Sequence, residues 1–283
     1  MELPPALVST AWLADNLGRE DIAVIDATYH LPTVARDARA EYAKAHIPGA
    51  AFFDIDAIAD HATDLPHMLP APEAFAEAVE ALGIGDADHV VAYDTYGLFS
   101  AARAWWMFRV FGHDRVSVLD GGMAKWVQEG RLVTDAATAP RPGKRFTPRF
   151  RPALVRDRAQ LLANLGTGAE QILDARSAPR FQGTAPEPRP GLRSGHIPGS
   201  RNLPFTQLVD GQQLTLLPPD ALRDQFARAG IDPSKPVVVS CGSGVTACVL
   251  ALGLEQIGAK RVAVYDGSWS DWGQPGETPV EVG

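Results

Sequence analysis

Cysteine is nearly absent from this chain: 283 residues contain two, Cys241 and Cys248. Two cysteines cannot build a disulfide framework, so any fold must be held by a packed core. No apolar run approaches the 18 residues a spanning helix needs, which argues against a membrane protein. The beginning, Met1-Glu2-Leu3-Pro4-Pro5, lacks the basic lead and apolar stretch of a secretion signal, and a cytoplasmic location is expected. A basic surplus is missing too. The formal net charge is −8, the wrong sign for the positive field that nucleic acids or anionic lipids require. Hydrophobic types do make up 46% of the residues, enough for a sizeable core, and the length suits about two domains.

The chain repeats itself. His46-Ile47-Pro48-Gly49 returns as His196-Ile197-Pro198-Gly199, and Val24-Ile25-Asp26-Ala27 as Ile172-Leu173-Asp174-Ala175. Leu119-Asp120-Gly121-Gly122 with Trp126 returns as Tyr265-Asp266-Gly267-Ser268 with Trp272. Three markers in one order at nearly one offset indicate a tandem duplication. The expected division is a first domain over 1–138, a linker over 139–152 and a second domain over 153–283. The linker carries Pro140, Pro142 and Gly143, which extend neither helix nor central strand. Its basic residues, Arg141, Lys144, Arg145, Arg149 and Arg151, read as a solvated connector.

Each copy has a β-branched run of strand length, Val90–Tyr93 and Val237–Ser240, apolar enough to be covered on both faces. A glycine-containing loop follows, then a helical stretch over 100–111 or 246–257, closed by Gly112 or Gly258, then a second apolar run. Strand, helix, strand with short connections is a right-handed βαβ unit. The fold class is therefore α/β, with each domain a mostly parallel sheet flanked by helices.

Duplication supplies an internal control. Residues present in both copies, such as His46 and His196 or Asp26 and Asp174, are assigned to the shared fold. The loop after the central strand differs: Cys241-Gly242-Ser243-Gly244-Val245-Thr246 stands where the first copy has Asp94-Thr95-Tyr96-Gly97-Leu98-Phe99. A thiol replaces a carboxylate. Cys241 falls at the carboxyl end of a buried strand and just before a helix, where open α/β sheets bind ligands. Glycines let the amide N–H groups turn inward as an anion nest, and the helix dipole adds to it. That environment favours a nucleophilic thiolate. Cys248, inside the helix, reads as a structural cysteine. Neither cysteine has the spacing of a zinc site.

The Cys241–Thr246 loop resembles that of the rhodanese superfamily, and in particular the branch that acts on 3-mercaptopyruvate. Phe52-Phe53-Asp54-Ile55-Asp56, His67-Met68-Leu69-Pro70, Arg180-Phe181-Gln182-Gly183 and Glu187-Pro188-Arg189 carry the same resemblance, as do the Asp-Gly stretches at 119–122 and 265–269. Two tandem rhodanese-like domains are implied, with the active cysteine in the second. The implied reaction takes sulfur from 3-mercaptopyruvate onto Cys241 as a persulfide and passes it to a small thiol, a thioredoxin-like protein or cyanide. Neither metal nor organic cofactor is implied.

The resemblance also assigns roles. Arg180 and Arg189 match the pair that holds the donor's carboxylate and keto oxygen, a task suited to the planar guanidinium fork. Asp56, His67 and Ser243 match a serine-protease-like triad that handles protons at the donor. Gly242, Gly244, Val245 and Thr246 supply the backbone cradle. Thiosulfate as donor is the alternative within the class, disfavoured because Gly242 and Ser243 are neutral where thiosulfate-specific loops are basic. A cysteine phosphatase would need an arginine six residues after Cys241, where Ala247 stands. A non-catalytic rhodanese-like binding module is the remaining rival.

Overall fold

A computed structural model describes residues 3–283. It divides into two compact units: the first takes in the chain up to Asp60, Leu69–Arg151 and Asp210–Leu216, the second His61–Met68, Pro152–Val209 and Leu217–Gly283.

The first unit holds β1 (Leu7–Val8), α1 (Thr10–Asn16), β2 (Ile22–Asp26), α2 (Ala38–Lys44) and β3 (Ala51–Phe52). It continues with α3 (Pro72–Ala81), β4 (His89–Tyr93), α4 (Ala101–Val110), β5 (Val116–Leu119) and α5 (Gly122–Gln128). The second unit begins with a 3-10 turn at Pro152–Leu154 and runs β6 (Val155–Arg156), α6 (Arg158–Thr167), β7 (Gln171–Asp174), α7 (Ala178–Phe181) and β8 (Arg201–Asn202). After a 3-10 turn at Phe205–Leu208 come α8 (Pro219–Arg228), β9 (Val237–Ser240), α9 (Ala247–Gln256), β10 (Val262–Tyr265) and α10 (Ser268–Trp272).

Both sheets have five strands, every pairing parallel, in the orders β1-β5-β4-β2-β3 and β6-β10-β9-β7-β8. The two orders are one topology written twice. β4 and β9 lie in the middle, and every residue of both is buried, as their unbroken apolar runs require. Helices α4 and α9 follow them; Gly112 and Gly258, at φ +89° and +85°, stand just past their C-caps.

The shared residues serve the fold. His46 is buried between the carbonyls of Tyr42 and Ala136, and His196 bonds the carbonyl of Phe181. The Trp126 and Trp272 indoles donate to the carbonyls of Leu132 and Pro279. Burying one such ring is worth roughly 2–3 kcal/mol, and the N–H partner spares the cost of a stranded donor.

The basic segment is the solvated connector expected, with one difference. It runs on the surface of the first unit but is tied down along its length. Arg141 and Lys144 pair with the buried Asp88, Thr147 bonds Asp86, and Arg151 forks onto Asp114. Phe146 is buried against Phe75, Phe108 and His113. One aromatic anchor plus acidic partners outweighs the disorder that proline and like charge would otherwise favour.

Candidate active site around Cys241

Cys241 is the first residue beyond β9, and its backbone is fixed from two sides. Its N–H donates to Ser268 Oγ at 3.1 Å, and its carbonyl accepts from Trp269 N–H at 3.0 Å. Gly242 is held likewise: its carbonyl accepts from the Ser270 N–H at 2.8 Å and hydroxyl at 2.7 Å. The start of α10 thus clamps the mouth of the loop. Ser268 does this from a left-handed conformation, φ +48°, while its hydroxyl donates to the Tyr265 carbonyl. Its Asp-Gly-Ser setting was read as a fold marker, and the contact spans 27 residues, so sequence spacing gave no hint of this role.

The first unit shows what such a loop does with an anion. The Asp94 carboxylate accepts from the N–H groups of Tyr96, Phe99, Ser100 and Ala101 at 2.8–2.9 Å. Burial pushes its carboxyl above the ordinary value, and these donors pull against that rise. The matching residues of the second loop include Ser243, Thr246 and Ala247, whose N–H groups meet no acceptor among the described residues. Gly97 and Gly244 bend both loops at φ +97° and +75°. One loop carries its own anion; its counterpart opens with a cysteine and leaves N–H groups without an acceptor, the kind of donors an anion takes.

Each predicted residue has a definite place. Cys241, Ser243, Gly244 and Val245 are buried in the loop; Gly242 and Thr246 are half-buried. Cys248 is buried in α9, where its thiol donates to the Gly244 carbonyl at 3.2 Å, consistent with a structural role. Arg180, at the end of α7, lies over Gly242: a Cβ on that glycine would stand 3.0 Å from the guanidinium nitrogen. A side chain at 242 would press on this guanidinium, which would have to give way by a few tenths of an ångström. His67 belongs to the second unit, buried at φ +62° rather than exposed as a proline-flanked loop histidine usually is. Its Nε2 stands 3.2 Å from the Arg189 guanidinium, which only donates, so Nε2 accepts a hydrogen bond from that arginine. Asp56 belongs to the first unit, on an exposed turn where its N–H donates to Asp54.

Two further residues escaped the sequence reading. Glu187 accepts from Arg180 at 3.2 Å and 2.5 Å, and from Arg176 at 2.9 Å. Arg176 is fully buried, paired with Asp174 at the end of β7 and stacked 4.2 Å above the Trp269 ring. Asp174–Arg176–Glu187–Arg180 is one continuous chain of ion pairs leading from the sheet to Gly242. Glu187 was legible as part of Glu-Pro-Arg, but a carboxylate between arginines is a tertiary fact.

A parallel α/β domain with a cysteine at the head of the loop between its central strand and the next helix, and an arginine over the following residue, defines a class of cysteine-centred domain. The family model described as rhodanese-like domain matches both copies, over residues 9–129 and 157–275, and the chain belongs to that family. The 3-mercaptopyruvate sulfurtransferase of Escherichia coli (strain K12) is 45% identical, over 97% of each chain. The thiosulfate sulfurtransferase of Bos taurus is 43% identical, over 98% of this chain and 96% of its own. The crystal structure of SseA from Escherichia coli, a 3-mercaptopyruvate sulfotransferase, superposes with a TM-score of 0.85 at 42% identity, covering 94% of this chain and 99% of that one.

Proposed function

We propose that the protein moves sulfur from 3-mercaptopyruvate through a persulfide on Cys241 to a thiol. The Cys241 thiolate attacks the donor sulfur and forms an S–S bond. The C–S bond breaks, its electron pair passes to carbon as the enolate of pyruvate, and that enolate takes a proton. An acceptor thiolate then takes the outer sulfur and releases the Cys241 thiolate. The observation that carries this reading is the open set of N–H groups around Cys241, set against the filled set around Asp94. Negative charge on the inner sulfur, or on a persulfide, is what such donors stabilise.

Within this reading Arg180 and Arg189 hold the donor's carboxylate and keto oxygen, and Ser243, His67 and Asp56 handle the proton. The cradle runs along Gly242, Gly244, Val245 and Thr246, with open N–H groups at Ser243, Thr246 and Ala247. Thiosulfate is the weaker donor, because Gly242 and Ser243 add no charge beside Cys241. The acceptor is a small thiol or a thioredoxin-like protein. Among the described residues no helix is long and apolar enough to cross a membrane. Both cysteines are free, which suits a reducing cytoplasm.

The test is intact mass after donor treatment, with thiocyanate release on adding cyanide. Wild type should gain one sulfur atom, Cys248→Ser should gain it too, and Cys241→Ser should not. Equal loss in both variants would place the nucleophile elsewhere, and no gain in wild type would favour an inert binding module.

A further inference from the structure

The charges beside Gly242 cancel. Asp174, Arg176, Glu187 and Arg180 are two carboxylates and two guanidiniums in one run of ion pairs, with contacts of 2.7, 2.9 and 2.5 Å. Glu187 is the pivotal member: its side chain is 2% exposed, it takes both the Nε and an outer nitrogen of Arg180, and it bridges to Arg176. Two of the five N–H groups of Arg180 are engaged in this way, which leaves three others free of Glu187 and directs them by a bidentate fork. Arg180 can therefore offer oriented hydrogen bonds over Gly242 while adding almost no net charge there.

We infer that Glu187 is a specificity-determining residue: by neutralising Arg180 it lowers the positive charge beside Cys241, matching the site to a monoanionic donor and against a dianion. This rests on Cys241 accepting sulfur from an α-keto acid thiol. A mercapto acid carries one carboxylate charge, whereas thiosulfate carries two, so each unit of site charge weighs twice as heavily on thiosulfate. Replacing the carboxylate by an isosteric amide restores one positive charge and loosens the fork. Both effects move preference toward thiosulfate.

The measurement is kcat/KM for thiosulfate divided by that for 3-mercaptopyruvate, in wild type and Glu187→Gln. One charge within several ångströms of a bound anion should raise the ratio about tenfold. An unchanged or lowered ratio overturns the inference. A second readout needs no turnover: the rate at which Cys241 is modified by the anionic 2-sulfonatoethyl methanethiosulfonate, divided by that for the neutral methyl reagent, with Cys248 followed separately by peptide mass. Glu187→Gln should raise this quotient by about the same factor. Should Glu187→Gln fail to fold, the double variant Glu187→Gln/Arg180→Gln removes both charges and is read by the pH profile of Cys241 modification with the neutral methyl reagent, which carries no anionic group for Arg180 to hold. A cancelling pair predicts the wild-type midpoint in that variant, and a midpoint raised by about one pH unit or more overturns the inference. Failure of wild type to use 3-mercaptopyruvate would sink the functional reading while leaving the modification quotient decisive for the charge balance.

Discussion

Asp94 and Cys241 stand at the same point of the two sheets, each the first residue beyond the central strand, and one supplies the anion that the other's loop is arranged to receive. Asp94 fills its cradle with a carboxylate held by four backbone N–H groups. The duplicated fold thus contains a structural and a chemical version of one device.

Removing the carboxylate should unravel the first version. Asp94→Ala takes the carboxylate from four backbone donors, two of them buried, which should cost about 3 kcal/mol or more in urea unfolding. Added formate should restore part of that loss by entering the cradle. A cost under about 1 kcal/mol would mean that the loop holds its shape without an anion.

The paired arginines should fail unequally. Arg189→Ala and Arg180→Ala should each lower kcat/KM for 3-mercaptopyruvate by about 10- to 100-fold, the value of a charge-assisted bond in a desolvated site. Arg180→Ala also leaves Glu187 without one of its two guanidiniums, so it should lose more stability than Arg189→Ala. Unchanged specificity constants in both would remove them from the site.

Ser268 sets a strain against a hydrogen bond. Ser268→Ala keeps the left-handed conformation and strands the Cys241 N–H, costing about 1–3 kcal/mol. Ser268→Gly loses the same bond but relieves about 1 kcal/mol of backbone strain. Thermal melting should therefore rank wild type above glycine above alanine, with sulfur transfer slowed in both variants. An alanine variant as stable as wild type would show the clamp to be idle.

Acid should weaken the first unit through His89. This ring is buried against Trp12, and its Nε2–H donates to Ser117 Oγ, whose own proton goes to the Pro5 carbonyl. Burial and nearby Arg115 hold its pKa down at about 4, against an ordinary 6.5. The unfolded chain takes up a proton that the folded one refuses, so stability is full above pH 6.5 and falls between 6.5 and 4 by up to about 3 kcal/mol. His113, pushed down by burial as well, acts in the same direction. Replacing His89 by glutamine should flatten the slope of unfolding free energy against pH in that window.

Much of the fold was legible because its signals are local. The β-branched runs, the glycines at 112 and 258 and the repeated markers each fall within a few residues, and the observed strands and helices start and stop beside them. Cys241 was legible for the same reason: the strand end, the glycines and the helix start lie within seven residues. The linker is solvated as expected, but its anchoring was not legible, since nothing near Phe146 in sequence announces the distant aromatic pocket it fills.

The sequence alone determined the duplication, the parallel α/β class and the single thiol in an anion-binding loop, because short-range pattern and backbone sterics fix those. Tertiary structure alone decided that Ser268 clamps Cys241, that Arg189 leans on His67 across 122 positions, and that Glu187 silences the charge of Arg180. Those are contacts between side chains whose partners are chosen by packing, and electrostatics acts through distance in space rather than along the chain.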